Sequence, residues 1–140
     1  LYFSGEETST ASADGIDLRG LGHVIKNIEN FFIDSGSPYG GLDALHVNIT
    51  DVLDWLHQSQ DGTIMFSTDQ NGNSVDNLVK FYSATGSNQS LTSMGFTDDA
   101  DNDATQDIVA IGTDTYYKYT LSGTDYAVLL DSQLISADTG

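Results

Sequence analysis

The stretch Asp114–Asp131, DTYYKYTLSGTDYAVLLD, decides the fold. Its first half, Asp114–Leu121, alternates, which puts Tyr117 and Tyr119 on one face and Tyr116 on the other. Ser122-Gly123-Thr124 then turns the chain, and Asp125–Asp131 returns as a second apolar run. Two such runs around a Gly-containing turn predict an antiparallel hairpin. Tyr and Val favour it because their side chains fit a pleated, half-buried surface.

Further short strands are expected on the N-terminal side of this hairpin. Asp107–Ile111, Asn77–Ser83 and Thr63–Thr68 are apolar or alternating, and Leu91–Phe96 is a weaker case. Asp69–Asn73 makes a turn with Gly72 at its tip, and the loop 35–41 holds Pro38. Leu42–Ile49 places Leu45, Val47 and Ile49 on one face, and Ile16–Leu18 is another candidate. After the hairpin, Leu134-Ile135 adds a last short strand. One helix is expected over about residues 50–58, with Thr50 as its cap, Asp51 at its positive end and Val52, Leu53 and Leu56 as its apolar stripe. Leu21–Asp34 reads two ways. Leu21, Val24, Ile25, Ile28 and Phe31 fall at helical spacing, yet Phe31-Phe32-Ile33 favours a strand. We expect an irregular or helical turn to Asn27 and a strand over Ile28–Asp34, the alternative being one helix.

Roughly eight short strands and one helix predict a mainly-β fold, a single β-sandwich or a solenoid-like β domain. Residues 16–136 form that domain. Residues 1–5 resemble a protease-tag remnant, 6–15 read as a linker and 137–140 as a polar tail.

Four Lys and Arg stand against 21 acidic residues, a net charge of −17. With no basic footprint to displace counterions from phosphates, nucleic acid is excluded as a partner. The chain has no cysteine, which removes disulfides and thiolate metal sites. No apolar run approaches the roughly 18 residues of a membrane span, so no membrane insertion is expected.

The charge is densest at Asp98–Asp107, DDADNDATQD, where five of ten residues are Asp. The nearest basic residues in the chain are Lys80 and Lys118. Like charges so close repel unless a cation holds them, and hard oxygens suit calcium. Asp99, Asp101, Asp103 and Asp107 match positions 1, 3, 5 and 9 of a calcium loop. Ala104 and Ala110 replace the Gly and bidentate Glu of an EF-hand, so the site would be a looser one, completed by carbonyls or by Asp98 or Asp114. These four Asp are the candidate Ca2+ ligands; the alternative is a solvated acidic loop. Asp69-x-Asn71-x-Asn73-x-x-Asp76 has similar spacing with weaker ligands and reads better as a turn.

No catalytic constellation stands out. His46 falls on the polar face of its strand, and Asp54 and His57 are three apart on the helix, with no matching nucleophile. Trp55, Tyr39, Tyr116, Tyr117, Tyr119 and Tyr126 would suit a sugar-stacking face, although Tyr is equally an ordinary strand residue.

The order of segments carries a resemblance. Asn27–Phe31 (NIENF), a Gly-rich gap, Ala44–Leu53 (ALHVNITDVL), Gly62-Thr63-Ile64, Asn73–Asp76 (NSVD), then Thr115–Thr120 (TYYKYT) with Ala127–Asp131 (AVLLD) resemble a module of large RTX and biofilm-associated bacterial adhesins exported by type I secretion. The resemblance covers residues 16–135. It departs where Ser67-Thr68-Asp69-Gln70 replaces an expected Gly-Asp, and where the 98–107 loop is longer and more acidic. It implies a non-enzymatic structural or adhesive module at the bacterial cell surface, with the neighbouring domains of the same adhesin as partners. A calcium-dependent glycan- or peptide-binding module is the other expectation. High acidity without cysteine fits a chain exported unfolded and stabilised outside the cell by calcium.

Overall fold

A computed structural model describes residues 2–4, 15–34, 43–68, 77–87, 89–132 and 134–136. The Asp69–Asp76 spacing, the Pro38 loop, Tyr39, residues 6–14 and the tail 137–140 lie outside the described residues. The strands are β1 (Tyr2–Ser4), β2 (Gly15–Asp17), β3 (Asn30–Asp34), β4 (Asp43–Asn48), β5 (Thr63–Thr68), β6 (Asn77–Tyr82), β7 (Phe96–Thr97), β8 (Ile108–Ile111), β9 (Asp114–Leu121), β10 (Ala127–Asp131) and β11 (Ile135–Ser136). Among the described residues one α-helix, α1 (Ile49–Gln58), joins β4 to β5. The fold is mainly β, as expected.

The connectivity is that of a solenoid. One sheet runs β1-β3-β5-β10-β9, with β7 and β8 both on the far edge of β9; the other runs β11-β6-β4-β2. Strands β1, β3, β5 and β10 are mutually parallel, and so are β2, β4, β6 and β11. The chain therefore steps from sheet to sheet, each strand lying beside its counterpart from the turn before. Parallel neighbours need a long crossover; here the crossover is a strand of the other sheet. Tyr2–Ser4, set aside above as a tag remnant, lies beside β3 as β1. Between β6 and β10 the chain makes an antiparallel excursion, β7 to β9, which extends the first sheet beyond β10.

The sheets meet through alternate residues. Phe31, Ile64, Phe66, Val128 and Leu130 from the first join Leu45, Val47, Val79 and Phe81 from the second in one core. Phe66 meets Phe81 edge-on across it at 5.7 Å between ring centroids, and Phe31 stacks on Phe66 at 5.0 Å. Each side chain so buried contributes about 1.5–3 kcal/mol relative to exposure. The helix closes one side of the core: Val52, Trp55 and Leu56 are fully buried, with Trp55 4.6 Å from Phe31.

Residues 18–29 are irregular because their main-chain groups bond to one stripe of α1. Asp51 accepts the N–H groups of Gly20 and Gly22, each at 2.9 Å. Trp55 Nε1 donates to the Ile25 carbonyl at 3.0 Å. Gln58 donates to the Gly22 carbonyl at 3.3 Å and accepts from Asn27 N–H at 3.0 Å. Asp51, Trp55 and Gln58 share a helix face at i, i+4, i+7. Groups that a helix or strand would pair internally are thus satisfied from outside. Gly22 also sits so close to Asp51 that a Cβ there would lie 2.8 Å from the Asp51 Cα.

Two local expectations are corrected. The helix cap is Asn48, not Thr50: Asn48 Oδ1 accepts Asp51 N–H at 2.9 Å, and Thr50 merely donates its hydroxyl to Asn48. The Leu91–Phe96 strand is a 3-10 turn over Thr92–Met94, ended by Gly95 at φ 98, with only Phe96–Thr97 in the sheet. Ser90 explains this locally, since its hydroxyl accepts Ser93 N–H and favours a turn.

Replacing Asp51 by Ala leaves two N–H groups without an acceptor and should lower stability by about 2–3 kcal/mol in urea unfolding. Asn48→Ala should cost about 1 kcal/mol. Thr50→Ala should stay within roughly 0.5 kcal/mol, the reverse of what a Thr50 cap would give.

Candidate functional site

The acidic loop interrupts one edge of the first sheet. Phe96 and Thr97 pair with Leu121 and Thr120 of β9, and Ile108 to Ile111 pair with Tyr117 to Asp114 of the same strand. Residues 98–107 leave this line between the two pairings and return to it. The neck is closed by Asp107 N–H donating to the Asp98 carbonyl at 2.7 Å and Lys118 N–H donating to the Asp107 carbonyl at 2.9 Å. Gln106 Nε2 reaches the Asp98 and Asp107 carbonyls at 3.4 and 3.2 Å.

Within the loop the carboxylates organise the main chain. Asp99 accepts the N–H groups of Asp103 at 3.0 Å and Ala104 at 2.9 Å, through different oxygens. Asp107 Oδ2 accepts Ala100 N–H at 2.8 Å. Asn102 and Ala104 take left-handed φ values of 58 and 69. Asn tolerates that region; Ala does so at a cost, held by the Asp99 bond.

The result is a convergence of Asp99, Asp101 and Asp107, each of which offers one carboxylate oxygen within 4.8 Å of those of the other two. Calcium–oxygen distances are about 2.3–2.6 Å, so oxygens across one ion stand roughly 5 Å apart, and the three fit a single cation. Asp103, the fourth sequence candidate, is not in this group. Its Oδ1 accepts the hydroxyl and N–H of Thr105.

Electrostatics follows this division. The Asp101 carboxyl is raised above the usual carboxylate range, first by its hydrogen bond with the Asp99 carboxyl and further by the charges of Asp103 and Asp107. The Asp103 carboxyl is lowered by its hydrogen bonds from the Thr105 side chain and N–H.

A groove of about 470 Å³ lies between this loop and the turn joining β9 to β10. Thr97, Asp99, Asn102, Thr120, Ser122, Thr124 and Asp125 line it with hydroxyls, carboxylates and an amide, and no aromatic ring is among its lining residues. Thr120 Oγ1 is buried and has no hydrogen-bond partner among the described residues.

The other candidates fall elsewhere. His46 lies on the outward face of β4, its Nδ1 2.7 Å from the Tyr82 hydroxyl, and burial lowers its pKa. It stands between Asp17 and Lys80 in the sheet register. Arg19 binds Asp17 at 2.7 Å and lies over the Tyr82 ring; its hydrogen bond holds the Asp17 carboxyl down to about 2. His57 packs edge-on against Tyr126, with centroids 5.1 Å apart. Trp55 and Tyr119 are buried in the core, Tyr117 packs against it, and Tyr116 is buried on the opposite face of β9. These rings serve packing, not an exposed stacking platform. Asn48 as cap and Asp51 as anchor were missed by sequence reasoning, although the Asn48-x-x-Asp51 spacing before an apolar stripe was a usable signal.

No protein-family model, curated protein or solved structure matches this chain.

The loop carboxylates have opposite signs of pH linkage. With its folded pKa raised, Asp101 opposes folding while ionised, and this is relieved as pH falls through its folded value toward 3.8. With its pKa lowered, Asp103 contributes stability above 3.8 that is lost as pH falls through its folded value. In a metal-free buffer, Asp101→Asn should therefore raise the thermal midpoint near neutral pH, whereas Asp103→Asn should lower it. Thermal unfolding of both variants at neutral pH and near 3.8 checks the signs.

Proposed function

We propose that this chain is a calcium-stabilised structural and adhesive module of a secreted bacterial surface protein, acting without catalysis. The observation that carries the reading is the convergence of Asp99, Asp101 and Asp107 on a loop inserted between two short pairings with β9. The reading ties a charge problem to a folding consequence. Without a cation the three carboxylates repel one another and rely on backbone N–H groups. With one, their attraction to the ion favours the folded loop, and a ligand that binds only the folded state stabilises it by mass action. Calcium outside a cell is abundant, which makes the setting extracellular. The resemblance of residues 16–135 to RTX and biofilm-associated adhesin modules points the same way, with neighbouring domains of the same adhesin as partners. The solenoid-like parallel pairing suits a structural part, since each turn rests on the one before.

The hydroxyl-lined groove beside Asp99 is what favours the second reading, a calcium-dependent glycan- or peptide-binding module. It offers polar partners but no ring on which a sugar face could stack, so the scaffold reading is the better supported.

Calcium should raise the thermal midpoint of the wild-type chain over its value in chelator. Asp99→Asn and Asp101→Asn should abolish most of that increment, while Asp103→Asn keeps it. A saturation of about 100 times the dissociation constant corresponds to roughly 2.7 kcal/mol of added stability. Equal midpoints with calcium and with chelator would sink the proposal. Reproducible hits on a glycan array in calcium, lost in Asp101→Ala, would move the assignment to the second reading.

A further inference from the structure

We propose that the free edge of β8 is a docking site for an extended polypeptide segment whose apolar residues are flanked by Lys or Arg. This inference does not require calcium, and one divalent ion bound among the five Asp of the loop would still leave the loop net negative. Strand β8, Ile108-Val109-Ala110-Ile111, is wholly apolar and, among the described residues, pairs only with β9 and forms an outer edge of its sheet. Ile108 is 57% and Ile111 44% exposed, two of the three large apolar side chains exposed among the described residues. The ladder shows which main-chain groups are open. Lys118 N–H donates to the Asp107 carbonyl, so Asp107, and by alternation Val109 and Ile111, face β9. The N–H and carbonyl groups of Ile108 and Ala110 therefore point away from it. An exposed apolar edge with unpaired main-chain groups is a template for an added strand.

Charge decides the occupant. The edge is entered from a loop with five Asp and followed by Asp114, and the neighbouring strand β9 carries one basic residue, Lys118. A second copy of the chain would bring a net charge of −17 and a second acidic loop to the same edge. A strand with basic flanks meets those carboxylates instead, and like-charged partners are rejected.

The test uses the full chain and two synthetic probes, Lys-Thr-Val-Thr-Val-Lys and its Glu-flanked analogue. The Lys-flanked peptide should bind, more weakly as salt rises, and slow amide hydrogen exchange at Ile108 and Ala110. The Glu-flanked peptide should bind about tenfold more weakly or not at all. Ala110→Pro removes an outward N–H at an edge position where proline is tolerated, so the β9 ladder should survive. It should weaken the Lys-flanked peptide about tenfold, roughly the effect of one main-chain hydrogen bond with its steric block. If that variant unfolds, the exchange pattern of the wild type carries the test. Absence of binding, equal binding of both peptides, protection elsewhere than β8, or self-association through β8 would each overturn the proposal.

Discussion

Parallel pairing is the constraint on which the structure rests. A strand cannot lie parallel to its predecessor until the chain has travelled back, and this chain makes the return by building a strand of the opposite sheet. The alternation from β1 to β6, resumed at β10 and β11, follows from that geometry. So does the shared core, because β3, β5 and β10 of one sheet and β4 and β6 of the other turn alternate residues toward each other. The helix occupies one of these returns, between β4 and β5. Its Asp51, Trp55 and Gln58 then hold an irregular segment that has no ladder of its own.

The acidic loop belongs to the antiparallel excursion, where the edge of the sheet admits an insertion without disturbing the parallel ladders. Its neck is held by main-chain bonds, but its interior is held by carboxylates accepting N–H groups. That arrangement aims several negative oxygens at one place. The N–H groups offset part of the repulsion, and the raised Asp101 carboxyl, shifted first by its hydrogen bond with the Asp99 side chain, marks what is left. A divalent cation would remove the remainder, which is the physical content of the proposed role.

Much of this was legible in the residues, for identifiable reasons. The hairpin Asp114–Asp131 and the strand Thr63–Thr68 carry period-two patterns and Gly-marked turns, and both emerge as β elements. The split of Leu21–Asp34 was legible because β-favouring Phe31-Phe32-Ile33 outweighs a helical spacing lacking a cap. The parallel order was not, since register between distant strands leaves no local signature. Neither was the role of Asp51, which depends on a segment 29 to 31 residues away. At the site, Asp spacing located the loop and three of its converging carboxylates. It could not separate Asp103, whose orientation is set by Thr105.

The most direct test of the central claim is a crystal structure grown in calcium, with anomalous scattering used to locate the ion. The account predicts one peak bounded by Asp99, Asp101 and Asp107, with carboxylate oxygens at about 2.3–2.6 Å. A well-ordered loop with no peak among these carboxylates, at calcium concentrations typical of the extracellular medium, would contradict it.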